Sequence, residues 1–389
     1  MMKIVFFAHP LFLASQSMPR FVSMLANGMK SRGYEVEVWR PEAMFLKLPV
    51  NGLKKWFGYI DQYIVFPQAV KRRLRVENDN VLYVITDHAL GPYVPLIADK
   101  PHVIHCHDFL AQRSALGEIP ENITSASGKQ YQAYIRKGYL KGKNFISVSQ
   151  KTRTDLAEFF AGGDHRSEMV YNGLNTLLQP APMQQSRHAL GNRLNMNLSK
   201  GYILHVGGNQ WYKNRQGVIS IYNQWRSKYG QTLPLLLIGQ EPNAALQKKY
   251  DVSPYKNDIH FLSQIDDEGV RIAYAGATVF LFPSLAEGFG WPIAEAMASG
   301  TVVVTTGATP MSEVAGDAAF LIKKKPALQE DEANWAGTAA VVLHEAISLN
   351  PEERLNWVNK GIDNVKRFNL EDALDSIESI YMNILTQDK

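Results

Sequence analysis

One cysteine, Cys106, stands among 389 residues, so no disulfide can form within the chain, and a reducing, cytoplasmic setting is the simplest expectation. Charge of one sign is scarce as well. With 41 Lys and Arg against 37 Asp and Glu, the formal net charge of +4 gives no basis for binding nucleic acid, although it permits attraction to an anionic membrane surface. No uninterrupted apolar run reaches the roughly 20 residues that a bilayer span requires. The N-terminus imitates a signal peptide, a lysine before apolar residues, but His9 and Pro10 interrupt the run and 4–8 reads as a buried strand. Low-complexity tracts are absent, and no acidic cluster suggests a metal site. The composition, 46% hydrophobic and 20% charged, is that of an ordinary globular protein long enough for two α/β domains with separate cores.

The most informative stretch runs from 280 to 322. The apolar run 278–282 that leads into it reads as a buried strand ended by Pro283, Gly288 and Gly290. Pro292 suits the first residue of a helix that continues through Ile293, Ala294, Ala296 and Met297 until Gly300 stops it, and 302–304 is the next strand. A strand, a glycine turn and a helix N-terminus make a place where backbone N–H groups receive phosphate. Two carboxylates frame it, Glu287 in the loop and Glu295 in what should be the first helical turn. Carboxylates repel a bare phosphate and accept from hydroxyls, so a ligand carrying both phosphate and sugar hydroxyls suits the set. The plainer alternative is a solvent-facing Glu287 and a Glu295 that only complements the helix dipole.

The run E-G-F-G-W-P-I-A-E, continued by E-A-M-A-S-G and by S-E-V-A-G-D-A-A at 312–319, resembles the E-x7-E motif of the retaining family 4 glycosyltransferases. About forty residues in matching order are far more specific than a glycine motif alone. The resemblance implies the α/β GT-B architecture, two Rossmann-like domains facing a central cleft. On this chain it gives an acceptor domain at 1–185, a nucleotide-sugar donor domain at 186–370 and a helix at 371–389 crossing back to the first domain. It implies no metal and no cofactor, the nucleotide-diphosphate sugar being a substrate.

Other segments fit this frame unevenly. The first loop reads L-A-S-Q-S-M-P-R-F, without the paired glycines many members carry, so Ser15, Ser17 and Arg20 are left as side-chain anion binders, or the serines as plain caps. In 45–75, aromatic and aliphatic residues alternate with Lys47, Lys54, Lys55, Lys71, Arg72, Arg73 and Arg75, a mixture suited to a peripheral membrane contact or to a packed helix with a solvated basic face. Two strands end in T-D-H at 86–88 and H-C-H-D-F at 105–109, where parallel sheets bind ligands. D-H-A-L-G-P at 87–92 resembles the family segment whose histidine lies near the donor sugar, which favours His88 over its rival His107; for each, ordering of the loop is the bland reading. In the second half, G-G-N-Q-W-Y-K-N-R at 207–215 follows a strand, so Gly207 and Gly208 let the backbone approach a diphosphate. Lys213 matches the family's diphosphate lysine. Asn209 stands where an arginine is often found, and Arg215 either compensates or is a surface residue. The polar stretch 180–200 reads as the linker region.

The resemblance thus implies a retaining, metal-independent hexosyl- or related glycosyltransferase moving sugar from a nucleotide-diphosphate donor to a glycan or lipid-linked acceptor, in cell-surface polysaccharide biosynthesis; the residues at 45–75 add the expectation of a cytoplasmic protein peripheral to the inner face of a membrane. It assigns Glu287 to the donor sugar, Glu295 to the ribose, Lys213 to the leaving diphosphate and His88 to the reacting sugar; the helix N-terminus adds the backbone amides of Phe289 and Gly290 for the diphosphate. Two other readings stay open: a non-catalytic sugar-nucleotide-binding partner of an active transferase, and a sugar-nucleotide epimerase.

Overall fold

Short apolar runs become parallel strands buried on both faces, and the helices between them supply that burial. The computed structural model describes residues 2–13, 17–49, 52–77, 80–160, 163 and 165–387, and of Ser17, Gln329 and Gln387 the backbone only. The chain divides into two units: Met1–Ile119 with Ile123–Tyr171 and Glu371–Lys389, and Asn172–Leu370 with Pro120–Asn122.

Unit 1 holds β1 (Lys3–Phe7), β2 (Glu35–Trp39), β3 (Val81–Ile85), β4 (His102–Cys106), β5 (Asn144–Ser147) and β6 (Arg166–Met169), all parallel, in the order β2-β1-β3-β4-β5-β6. β3, β4 and β5 are buried at every position. β6, with sequence R-S-E-M, is a polar edge strand that no apolar pattern announces. Chain order reverses between β1 and β3, and a crevice opens at the carboxyl ends of strands at such a point. From Glu371 onward the last helix, Leu370–Gln387, belongs to this unit. It lays Leu374 over Gly28, joins Tyr381 to His105 by a 2.8 Å hydrogen bond, and accepts from Arg32 at Glu371 and Asp375.

Unit 2 holds β7 (Ile203–Val206), β8 (Leu235–Ile238), β9 (Ile259–Leu262), β10 (Val279–Phe282), β11 (Val303–Thr306) and β12 (Ala319–Ile322), again parallel, in the order β12-β11-β10-β7-β8-β9. Counted from its own first strand this is the 3-2-1-4-5-6 order of a dinucleotide-binding sheet, with the switch point between β7 and β10. The 180–200 stretch, expected as a linker, is mostly a helix, Met183–Leu194, that belongs to this unit. Its Arg187 is 7% exposed and donates to Gly276 O at 2.9 Å and Thr278 Oγ1 at 3.0 Å, so composition there reflects a polar helix face with one buried anchor. Among the described residues, no helix is long and apolar enough to cross a membrane.

Behind the sheet of unit 2, Glu332 accepts from Ser220 Oγ at 2.6 Å and faces Lys249 and Lys325 at 2.9 Å each. Burial raises its pKa, but these three partners outweigh burial and hold it at about 2 against an ordinary 4.5. A lowered carboxylate stabilises the fold above its unfolded pKa and loses that contribution as pH falls through the folded value. Unfolding free energy should therefore drop by about 1–2 kcal/mol between pH 4.5 and 2 once solvent screening of this partly buried group is allowed for, and Glu332→Gln should flatten that limb in acid titrations of stability.

Candidate active site

At the switch point of unit 2 two strand exits are tied together by side chains. Beyond β7 come Gly207 and Gly208, a short helical turn Trp211–Lys213, and Asn214, which caps the helix Arg215–Tyr229 by accepting from Gly217 N–H at 3.2 Å. Asn214 Nδ2 also donates to Pro283 O at 2.9 Å, just past β10, and Leu285 N–H donates to Tyr212 O at 2.7 Å. These bonds carry Lys213 to Glu287. The Lys213 ammonium lies 2.8 and 2.9 Å from the two carboxylate oxygens, with side chains only 14% and 8% exposed, and Ser284 Oγ donates to Glu287 Oε1 at 2.6 Å. The same ammonium stands 5.1 Å from the Phe282 ring centre. A cation and a carboxylate 74 positions apart in sequence thus occupy the one place where this sheet type binds nucleotides.

Gly207 is held against a second turn. A Cβ on Gly239, whose φ is +150°, would fall 2.1 Å from Gly207 O, so the two turns pack backbone on backbone. Asn209 N–H donates to Gln240 Oε1 at 3.1 Å, and Arg215 Nη1 donates to Asn209 Oδ1 at 2.6 Å and Gln240 O at 2.7 Å. Arg215 is 4% exposed rather than superficial, and burial lowers its pKa to about 10; its Nε and Nη2 have no partner among the described residues. Asn209, which replaces the arginine of the family pattern, is the residue Arg215 grips. His205 went unnoticed in the sequence because it lies inside an apolar strand. It donates through Nδ1 to Leu281 O at 2.9 Å, burial lowers its pKa to about 3, and its Nε2 would sit 3.1 Å from a Cβ on Gly207.

Past the turn, Gly290 takes φ +108°, a conformation that favours glycine, and starts the helix Trp291–Ala298 with Pro292 as its second residue. Glu295 is the fifth residue of that helix, not part of its first turn. A helical turn spans 3.6 residues, and the backbone begins its helix one position before Pro292. The carboxylate accepts from Tyr274 Oη at 2.9 Å. Phe289 is 3% exposed, its ring set against Trp291 and Phe368, so any contact it makes with a ligand comes from its backbone.

In unit 1 the switch point between β1 and β3 gathers histidines. His9, past β1, donates through Nε2 to Asp87 Oδ2 at 2.9 Å; Ala89 N–H donates to Asp87 Oδ1 at 3.0 Å. His88 Nδ1 lies 3.1 Å from the same Oδ1, at ion-pair distance but outside hydrogen-bond alignment. Burial pushes the Asp87 pKa up, and the contacts with His88 and His9 more than reverse it, leaving it well below the usual carboxylate range. The His88 ring rests 4.5 Å from Phe109 and 5.8 Å from Tyr139. His107 donates through Nε2 to Thr86 O at 2.9 Å, and burial lowers its pKa. Both candidate histidines therefore share one edge: His88 lies 3.1 Å from the Asp87 carboxylate, and His107 feels the charges of Asp87 and Asp108. His9 is the member that the sequence reading passed over, its signal being an H-P pair directly after the first strand. Ser15 lies outside the described residues; Ser17 opens the helix Ser17–Ser31, its side chain likewise outside them.

Comparison with known proteins adds a family. The model for glycosyl transferases group 1 matches residues 200–339, and that for Glycosyltransferase Family 4 matches residues 18–177. The chain is 33% identical over 124 residues to the O-antigen chain mannosyltransferase B of Escherichia coli, a match covering 31% of this chain and 32% of that protein. It is 24% identical to the phosphatidyl-myo-inositol mannosyltransferase of Mycobacterium leprae over 94% of this chain and 92% of that one. The first of these relatives is thus spanned for about a third of its length. Among solved structures, a sucrose-phosphate synthase from Thermosynechococcus elongatus aligns over 100% of both chains with a TM-score of 0.76 at 14% identity. At that identity the likeness concerns the fold, which is GT-B.

Proposed function

We propose that this chain, which belongs to the group 1 and family 4 glycosyltransferases, transfers a sugar with retention of anomeric configuration from a nucleoside-diphosphate donor to a glycan or lipid-linked acceptor, in building a cell-surface polysaccharide or glycolipid. The observation that carries this reading is the Lys213–Glu287 pair at the β7/β10 switch point. Breaking the anomeric C–O bond leaves positive charge on the sugar ring and negative charge on the departing diphosphate. Lys213 turns from Glu287 to that diphosphate, with the amide end of the Trp291–Ala298 helix beside it. Freed, Glu287 accepts from donor-sugar hydroxyls, and Glu295 takes the ribose hydroxyls. The acceptor oxygen attacks the face that the diphosphate leaves, and its proton passes to a diphosphate oxygen. His88, oriented beside Asp87, is the histidine we assign to the reacting sugar. Lys213 does the work a divalent ion would do, so the reaction is expected to withstand chelators.

The sugar to try first is mannose, because both relatives described above are mannosyltransferases by name. The test is a panel of guanosine-, uridine- and adenosine-diphosphate sugars, measured for binding and for slow hydrolysis, with product configuration read by NMR. One donor should bind and be consumed, and His88→Ala should lower turnover at least tenfold while donor affinity stays within about twofold. A donor that binds and is never consumed, with or without acceptors, would replace this reading with that of a non-catalytic binding partner.

A further inference from the structure

Tyr274 is fully buried in unit 2, and its hydroxyl donates to Glu295 Oε2 at 2.9 Å. Buried phenols usually find a partner, so that bond by itself would be ordinary core satisfaction. Its support distinguishes it. Tyr274 lies in the last turn of the helix Asp267–Gly276, where carbonyls run beyond the regular helical ladder. Three buried side chains from other elements reach these carbonyls: Tyr202 Oη donates to Ala273 O at 2.7 Å, Thr301 Oγ1 to Tyr274 O at 2.5 Å and Arg187 Nε to Gly276 O at 2.9 Å. The Tyr274 ring packs edge-on against Phe280 of β10, 5.3 Å between centres, which fixes the direction of its hydroxyl. Burial and the neighbouring carboxylate push the phenol pKa well up, so it keeps its proton and acts as the donor.

Glu295 stands at the other end of this bond, in the helix that begins at the donor turn. A carboxylate offers about four acceptor positions, so one bond from Tyr274 leaves capacity for both hydroxyls of a ribose. Orientation is what the bond supplies. A long side chain that is not held beforehand must be ordered by its ligand, which lowers affinity by roughly three- to tenfold. We propose that Tyr274 is a positioning residue of the donor site, holding Glu295 in the arrangement that accepts ribose hydroxyls and thereby setting the preference for a ribonucleotide over its deoxy counterpart. This rests on the assignment of Glu295 to the ribose, and the test separates the two.

The test is calorimetric titration of guanosine, uridine and adenosine diphosphates, each beside its 2′,3′-dideoxy counterpart, into wild type, Tyr274→Phe, Glu295→Ala, the double variant and Ile221→Val. The wild type should prefer a ribonucleotide by about tenfold or more, the effect of hydrogen bonds to an ionised acceptor. Tyr274→Phe should lower that preference about fivefold, while affinity for the dideoxy nucleotide stays within about twofold and shows the site to be folded. Glu295→Ala should remove most of the preference, and in that background Tyr274→Phe should change it less than about twofold, because the phenol acts only through the carboxylate. Ile221→Val, a core change in the helix Arg215–Tyr229, should lower the thermal midpoint and leave the preference alone. A preference that survives Glu295→Ala would take Glu295 from the ribose and the proposal with it. A preference lost in Glu295→Ala but kept in Tyr274→Phe would overturn the proposal alone, as would an equal loss in Ile221→Val. Donor consumption, the test of the transferase reading, is read separately in every case.

Discussion

Lys213→Ala should lower kcat/KM for the donor by about a thousandfold, roughly 4 kcal/mol, and weaken donor binding in parallel. Two losses combine. The cation that meets the leaving diphosphate is gone, and Glu287, its side chain 8% exposed, keeps the Ser284 Oγ bond but loses its ion pair, so a poorly solvated carboxylate faces the incoming phosphates. The second loss can be removed separately. Glu287→Gln takes away that negative charge, so the double variant should bind donor within about tenfold of wild type while remaining slow. Calorimetric titration of donor into the four proteins, with hydrolysis rates, reads both quantities. Strict additivity of the two single substitutions would mean that the pair does not act as one unit. Unchanged donor affinity in Lys213→Ala would remove the observation on which the transferase reading stands.

Most strands of the two sheets were legible from the chain because they are short apolar runs bounded by glycine, proline or polar residues, as 81–85 and 278–282 illustrate. β6 was not, since an edge strand needs burial on few positions and R-S-E-M carries no period. The Glu287 and Lys213 candidates were visible as residues, but their direct pairing was not: it depends on Asn214 and Tyr212 gripping the exit of β10 some seventy positions away. The same limit hid the His9–Asp87 bond, 78 positions apart. Hydrogen bonds between distant strand exits leave no local pattern, whereas apolar periodicity does. Asp61 was passed over: 45–75 was read for its aromatic and basic residues, and its one carboxylate is fully buried and accepts the N–H groups of Met44, Phe45 and Leu46.

Backbone contact also decides a sign that helix propensity alone gets wrong. Gly138 lies in the helix Ala126–Tyr139 with no left-handed φ, so propensity favours alanine there by about 1 kcal/mol. A Cβ at that position, however, would fall 2.2 Å from Gly91 O and 2.8 Å from Pro92 N, and neither is the movable end of a side chain. Gly91 makes the reciprocal approach, its own Cβ position lying 2.4 Å from Ile135 O. This contact sets the 88–96 segment on the helix, and Tyr139 at the helix end backs the His88 ring. Gly138→Ala should therefore destabilise unit 1 by about 3 kcal/mol or more, seen as faster amide exchange in β3 and β4. It should also cut turnover while donor binding by unit 2 persists. Gly337, inside the helix Glu332–Ile347, has nothing within 4 Å of its Cβ position. There propensity is unopposed, and Gly337→Ala should stabilise unit 2 by about 1 kcal/mol, raising its thermal midpoint by a few degrees. If Gly138→Ala instead stabilises unit 1, as Gly337→Ala should stabilise unit 2, the Gly91–Gly138 contact is looser than its geometry states, and His88 is not held through it.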